Sequence, residues 1–201
     1  MGRYTVAVSG ASGSVYGMRL AEQLLLTGNE VVFVATEAGR AVTAHELGFE
    51  LPEGGHDAAA VALATFLELP SADRLRVAYP GDMFDPVASG SHRIDGMIVC
   101  PASMGFCASV AAGLAQDLPE RAADVCLKER VPLVLVPRET PMSLIHLRNL
   151  TSAAEAGAII VPAMPAFYQS PQSVDDLVGF VVGKVLDSLG LDHSLFDRWG
   201  S

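Results

Sequence analysis

Residues 128–141 read KERVPLVLVPRETP, and the fold turns on the six in the middle. Positions 131–136 are apolar without a break. A strand with one wet face alternates polar and apolar residues, so this run predicts a strand covered on both faces. Strands of that kind belong to parallel sheets sandwiched between helices. The helical pattern before it and the Arg138–Glu139 pair after it, set between Pro137 and Pro141, complete a helix–strand–loop unit.

Outward from this unit the same alternation repeats. Strands are expected at 4–9, 30–35, 74–78, 96–100, 131–137 and 158–162. Helical periodicity is expected at 14–27, 38–48, 58–68, 103–115, 119–128, 143–155 and 173–189. Strands and helices taken in turn predict an α/β fold, a three-layer flavodoxin- or Rossmann-like arrangement with a mostly parallel sheet. At 201 residues, one domain covering 1–201 is expected. A C-terminal tail from about 190, carrying the single tryptophan, Trp199, is expected to dock on a neighbouring subunit.

Composition narrows the function. Thirteen Lys+Arg against 23 Asp+Glu leave a net charge of −10, which argues against nucleic acid as a partner. Half the residues are hydrophobic and mean hydropathy is +0.35, yet no apolar run is long enough to span a bilayer. Large subunit interfaces account for the surplus, so a homo-oligomer is expected. The strand pattern starts at Tyr4, so no signal peptide is expected. Cys100, Cys107 and Cys126 lack metal-ligand spacing and read as reduced thiols of a cytoplasmic protein. The five histidines are scattered, and no metal site is indicated.

Ligands of such sheets sit beyond the carboxyl ends of the strands. Residues 10–14 (GASGS) leave the first strand and open a helix, where the glycines, Gly10 and Gly13, permit close backbone approach. Ser12 either donates to a ligand or caps the helix. Thr36 leaves the second strand. Residues 103–106 repeat the arrangement after the fourth. Ser103 suits an N-cap, with Gly105 beyond it. Met104 and Phe106 are expected against an aromatic ring system or a neighbouring subunit. Arg121 and Lys128, seven apart, share one helix face. With Arg130 and Arg138 they form a cationic group suited to a phosphorylated small molecule, and Arg138 can grip phosphate with a planar fork. A solvated ladder through Asp124 is the plainer reading of Arg121 and Lys128. Glu46 reads as an exposed helical carboxylate. Tyr168 offers a phenol at an apolar rim. Lys184 lies among valines and either snorkels to the surface or faces an anion.

The segments 10–20 (GASGSVYGMRL), 85–91 (DPVASGS), 121–150 (RAADV, LKER and PRETP within it), 162–187 and 197–200 (DRWG) resemble the UbiX-type flavin prenyltransferase family over most of the chain. The resemblance implies synthesis of prenylated FMN from reduced FMN and dimethylallyl phosphate, without a metal. The product would pass to a UbiD-type decarboxylase, and the sites would be built between subunits, commonly in a dodecamer. It further implies that Gly10, Ala11 and Ser12 form the flavin loop, with Thr36, residues 103–106 and Arg138 completing FMN binding. Tyr168 and Lys184 would hold the prenyl phosphate. Arg121, Lys128 and Glu139 would be further charged site residues, and Glu46 would handle a proton.

Two departures stand out. Met83 occupies a position where some members carry tryptophan, and the fourth-strand loop reads PASMGF. That loop also resembles the flavin-dependent cysteine decarboxylases, for which His92 would be the sole candidate base. A non-catalytic FMN-binding subunit is the third reading.

Overall fold

The structure is a computed structural model and describes residues 1–53 and 55–197. Six strands run as β1 (Arg3–Val8), β2 (Glu30–Ala35), β3 (Leu75–Ala78), β4 (Gly96–Ala102), β5 (Leu133–Pro137) and β6 (Ile159–Ile160). They form one sheet of order β3-β2-β1-β4-β5-β6, every neighbouring pair parallel. Seven helices connect them: α1 (Ser14–Leu26), α2 (Glu37–Leu47), α3 (His56–Phe66), α4 (Met104–Ala112), α5 (Leu118–Glu129), α6 (Leu144–Glu155) and α7 (Val174–Ser188). The expected three-layer α/β architecture is the one observed.

Alternate residues of each central strand feed two cores. Val6, Val8, Val134 and Val136 pack under α1, α3 and α7. Ala7, Leu133 and Leu135 pack under α4, α5 and α6. A strand buried this way needs apolar residues at consecutive positions, which is why residues 133–136 carry no polar side chain.

Several boundaries differ from the sequence reading: β5 starts at Leu133 rather than 131, because Pro132 is exposed and stands before the ladder, and α4 stops at Ala112 rather than 115. β4 continues past Cys100 to Ala102, because the Arg138 amide still pairs with the Ala102 carbonyl at 3.3 Å beyond a register shift between Val99 and Ala102. A proline in a strand reads as a stop, and Pro101 hid this extension. β6 is shorter than expected, only two residues at the sheet edge.

The order reverses between β1 and β4: β2 and β3 lie to one side, β5 and β6 to the other. That switch point opens a crevice at the carboxyl ends of the two strands.

Candidate functional site

Three loops meet at the crevice. Residues 10–13 leave β1, Thr36 leaves β2, and Ser103 leaves β4. Ser9, buried at the end of β1, joins two of them: its hydroxyl donates to the Pro101 carbonyl (2.9 Å) and accepts the Ser103 amide (2.7 Å). Gly10 lies flat on α2, where an added Cβ would come within 2.6 Å of the Ala38 Cβ. Gly13 turns the chain at φ 105°, a left-handed conformation that favours glycine.

The start of α1 attracts an anion, and the chain supplies one itself. Glu46 of α2 accepts from the amides of Gly13 (2.9 Å) and Ser14 (2.9 Å). Partial burial pushes its carboxyl up, but the Ser12 hydroxyl and these two amides outweigh that and hold it below the ordinary carboxylate range. Glu46 is therefore more than an exposed helical carboxylate: it orients Ser12 and occupies the place a ligand phosphate would take at α1. Ser12 does not cap α1, whose N-cap is Gly13.

Thr36 and Ser103 are N-caps, accepting the amides of Gly39 (3.0 Å) and Phe106 (3.2 Å). Each hydroxyl accepts through a lone pair, which leaves its own hydrogen available to donate. Met104 and Phe106, 6% and 5% exposed, pack into the core beneath α4. This corrects the expectation of a ring or a neighbouring subunit for their side chains: the first turn of α4 presses directly onto the sheet. What the segment offers a ligand is its first-turn amides, at the exposed Gly105. Arg138, exposed, stands at the end of β5. Beside it is Tyr16, whose phenol burial pushes above its ordinary range against the pull of the Arg138 guanidinium. Glu139 is half-buried and accepts the Thr140 amide at 3.0 Å.

The cationic group read from the sequence does not assemble within one chain. α5 runs antiparallel to the strands, so Lys128 lies at the opposite end of β5 from Arg138, and the strand alone spans roughly 16 Å. Lys128 pairs with Glu129 next to Gly90. Arg121 bonds the Ala88 carbonyl (3.2 Å) and Asp124 (2.8 Å). Both side chains thus face the 85–91 segment, which Asp85 anchors. Buried Asp85 takes both terminal nitrogens of Arg76 (2.5 and 2.8 Å) and the Val87 amide (3.0 Å). Arg130, at φ 59°, is the left-handed cap of α5.

Tyr168 and Lys184 occupy a third surface, at the β6 edge. Tyr168 meets the Phe180 ring edge-on at 5.9 Å. Lys184, one turn further along α7, lies above buried Val181 and Val185 as the snorkelling reading expects. Its ammonium reaches Asp187 at 3.2 Å, beside an apolar cavity of about 420 Å³.

Sequence reasoning missed Ser9, Tyr16 and Asp187. Burial pushes the Cys107 and Cys126 thiols up to about 12 and Cys100 higher still, so none is a thiolate nucleophile. Among the described residues no metal-binding group is found, and no helix is long and apolar enough to cross a membrane.

A family model described as Flavoprotein matches residues 2–186. The chain belongs to the Flavoprotein family. Within it, the chain is 45% identical over 201 residues to the flavin prenyltransferase UbiX of Halalkalibacterium halodurans, covering 99% of this chain and 94% of that one. A UbiX crystal structure in complex with FMN and dimethylallyl pyrophosphate superposes with a TM-score of 0.86 at 39% identity, covering 99% and 97% of the two chains. A dodecameric FMN-dependent UbiX-like decarboxylase from Escherichia coli O157:H7 superposes at 0.84, with 37% identity and coverage of 99% and 100%. Against this Flavoprotein background, the crevice at β1 and β4 and the two outlying cationic surfaces are the features to explain.

Proposed function

We propose that the chain is a flavin prenyltransferase, joining a dimethylallyl phosphate to reduced FMN and releasing prenylated FMN to a UbiD-type decarboxylase. The observation that carries this reading is the division of its polar residues. One surface carries hydroxyls, amides and Arg138; the other two carry Lys128 with Arg121, and Lys184 with Tyr168. A protein that only held FMN needs the first surface and has no use for the other two. In a homo-oligomer of the dodecameric kind, neighbouring copies bring the three surfaces together. A cytoplasmic setting accords with three free, buried thiols.

The crevice fits FMN. Its donors at Ser12, Thr36, Ser103 and the start of α4 suit the carbonyl, ribityl and phosphate oxygens of a flavin mononucleotide, and Arg138 supplies the cation. Reduced flavin supplies the nucleophilic ring atoms that take the prenyl group. The protein supplies position and charge. Ser12, steered by Glu46, holds or moves a proton at the first of those ring atoms. Lys128, Arg121 and Lys184 stabilise charge on the departing phosphate, with the Tyr168 phenol as a further donor. The apolar wall around Phe180 and Met164 keeps water from an electron-deficient prenyl carbon.

The cysteine-decarboxylase reading loses its base. His92 lines a cavity with Arg3, Glu30 and Arg74, at the amino ends of β1 and β2, across the sheet from Ser103.

The test is anaerobic incubation with reduced FMN and dimethylallyl phosphate followed by mass spectrometry. A flavin adduct heavier by one prenyl unit, with free phosphate, is the expected product. Flavin binding without either product overturns the proposal for that donor.

A further inference from the structure

The residues that follow α7 reach back to the Lys184 surface. Leu191 and Leu195 pack against the same core as α7, and the Phe196 ring lies 5.1 Å from Phe180. The His193 side chain is 1% exposed, its ring tilted against Phe196 at 4.8 Å over Gly183. An added Cβ at Gly183 would meet His193 Cε1 at 2.7 Å and Phe196 at 2.4 Å, so this seat exists only because residue 183 is glycine.

The ring's orientation is fixed. His193 Nδ1 accepts the Leu195 amide at 3.2 Å, so Nδ1 holds the lone pair and Nε2 the hydrogen. Nε2 points toward Asp187, with Oδ1 at 3.3 Å. The approach is oblique, short of hydrogen-bond geometry, and among the described residues Nε2 finds no better partner. A buried N–H in that position favours a carboxylate in front of it. The other oxygen of Asp187 faces Lys184 Nζ at 3.2 Å.

An exposed lysine–carboxylate pair three residues apart on a helix ordinarily contributes little, because both side chains roam. Here only Lys184 is free to roam. Asp187 is mostly buried, with the buried His193 ring behind it, Nε2 3.3 Å from Oδ1. We infer that Asp187, backed by His193, is the positioning residue that holds the Lys184 ammonium over the β6-edge cavity for the prenyl phosphate. Segment 191–197 thereby contributes to substrate affinity without touching substrate. This rests on the reading of Lys184 as a phosphate ligand given above.

The test is anaerobic steady-state kinetics of the full chain, with dimethylallyl phosphate varied at saturating reduced FMN. Asp187→Ala is expected to raise KM for the prenyl phosphate about tenfold, the effect of one well-oriented charged contact, with flavin affinity unchanged. Asp187→Asn, which keeps an acceptor oxygen, recovers most of that loss. In a Lys184→Ala background, Asp187→Ala adds nothing further. His193→Leu keeps the packing volume and removes the N–H; it is expected to raise KM about threefold and carries the test should Asp187→Ala fail to fold. A raised KM in Lys184→Ala with an unchanged KM in Asp187→Ala or His193→Leu overturns the inference alone, as do fully additive effects in the double variant. An unchanged KM in Lys184→Ala overturns the phosphate assignment and the inference with it.

Discussion

Ser9 and Ser103 are 94 residues apart in sequence and 2.7 Å apart in space, the hydroxyl of one receiving the amide of the other at the point where strand order reverses. The bond ties the flavin-side loop of β1 to the start of α4. It makes the crevice a single rigid rim rather than two independent turns.

Replacing Ser9 by alanine leaves the Ser103 amide without its partner, while the Pro101 carbonyl keeps the residue-9 amide at 3.2 Å. A loss of about 1–3 kcal/mol is expected, the cost of leaving one buried amide unsatisfied. Chemical denaturation measures it. FMN titration of the folded variant is expected to show weaker binding as well, since both loops face the ligand.

Glu46 gives the protein an acid-sensitive contact. Its carboxyl titrates below its ordinary value in the folded chain. Such a group contributes stability that is present above the unfolded-state pKa and is lost as pH falls through the folded one. Denaturation followed from pH 7 down to about pH 3 should therefore show a decline in the wild type that is shallower in Glu46→Gln. Equal slopes would show that the Ser12, Gly13 and Ser14 contacts do not bias its proton.

Arg130 sits at φ 59°, a conformation that costs a side chain more than it costs glycine. Arg130→Gly is expected to raise stability by about 0.5–1 kcal/mol in a thermal melt, with turnover unchanged. A loss of turnover would return Arg130 to the group of site cations.

Lys128 and Arg138 belong to different part-sites on the proposed function. Lys128→Ala and Arg138→Ala chains, each inactive alone, should regain activity when co-assembled. Random one-to-one mixing leaves about a quarter of the sites with both residues intact, because each site draws them from different copies in a closed assembly. No recovery in verified mixed oligomers would place both residues in one subunit's site.

The layers, every strand and every helix were legible in the sequence because apolar periodicity is a local property, written into each segment. The crevice loops were legible for the same reason, as turns at strand ends. The cationic group was not. Arg121, Lys128 and Arg138 lie close along the chain, but β5 intervenes, and a strand carries its two ends apart. Met104 and Phe106 misled because nothing local reveals that a helix's first turn faces the sheet. Ser9 read as the last residue of a strand, and its bridging role depends on β4, far away in sequence. Asp187 was not singled out and His193 read only as one of five scattered histidines; their meeting depends on Gly183, which leaves room for the imidazole. The expected docking of Trp199 lies outside the described residues; the preceding segment to Asp197 folds onto α7 of its own chain.

The separation that β5 imposes has a consequence for how activity responds to dilution. Each copy would carry three fragments of a site and no complete one. Lowering the concentration below the association threshold should then silence turnover while every strand and helix stays folded. Specific activity would rise with protein concentration until assembly saturates, so that the amount of protein made, and not only its integrity, sets whether a single copy works.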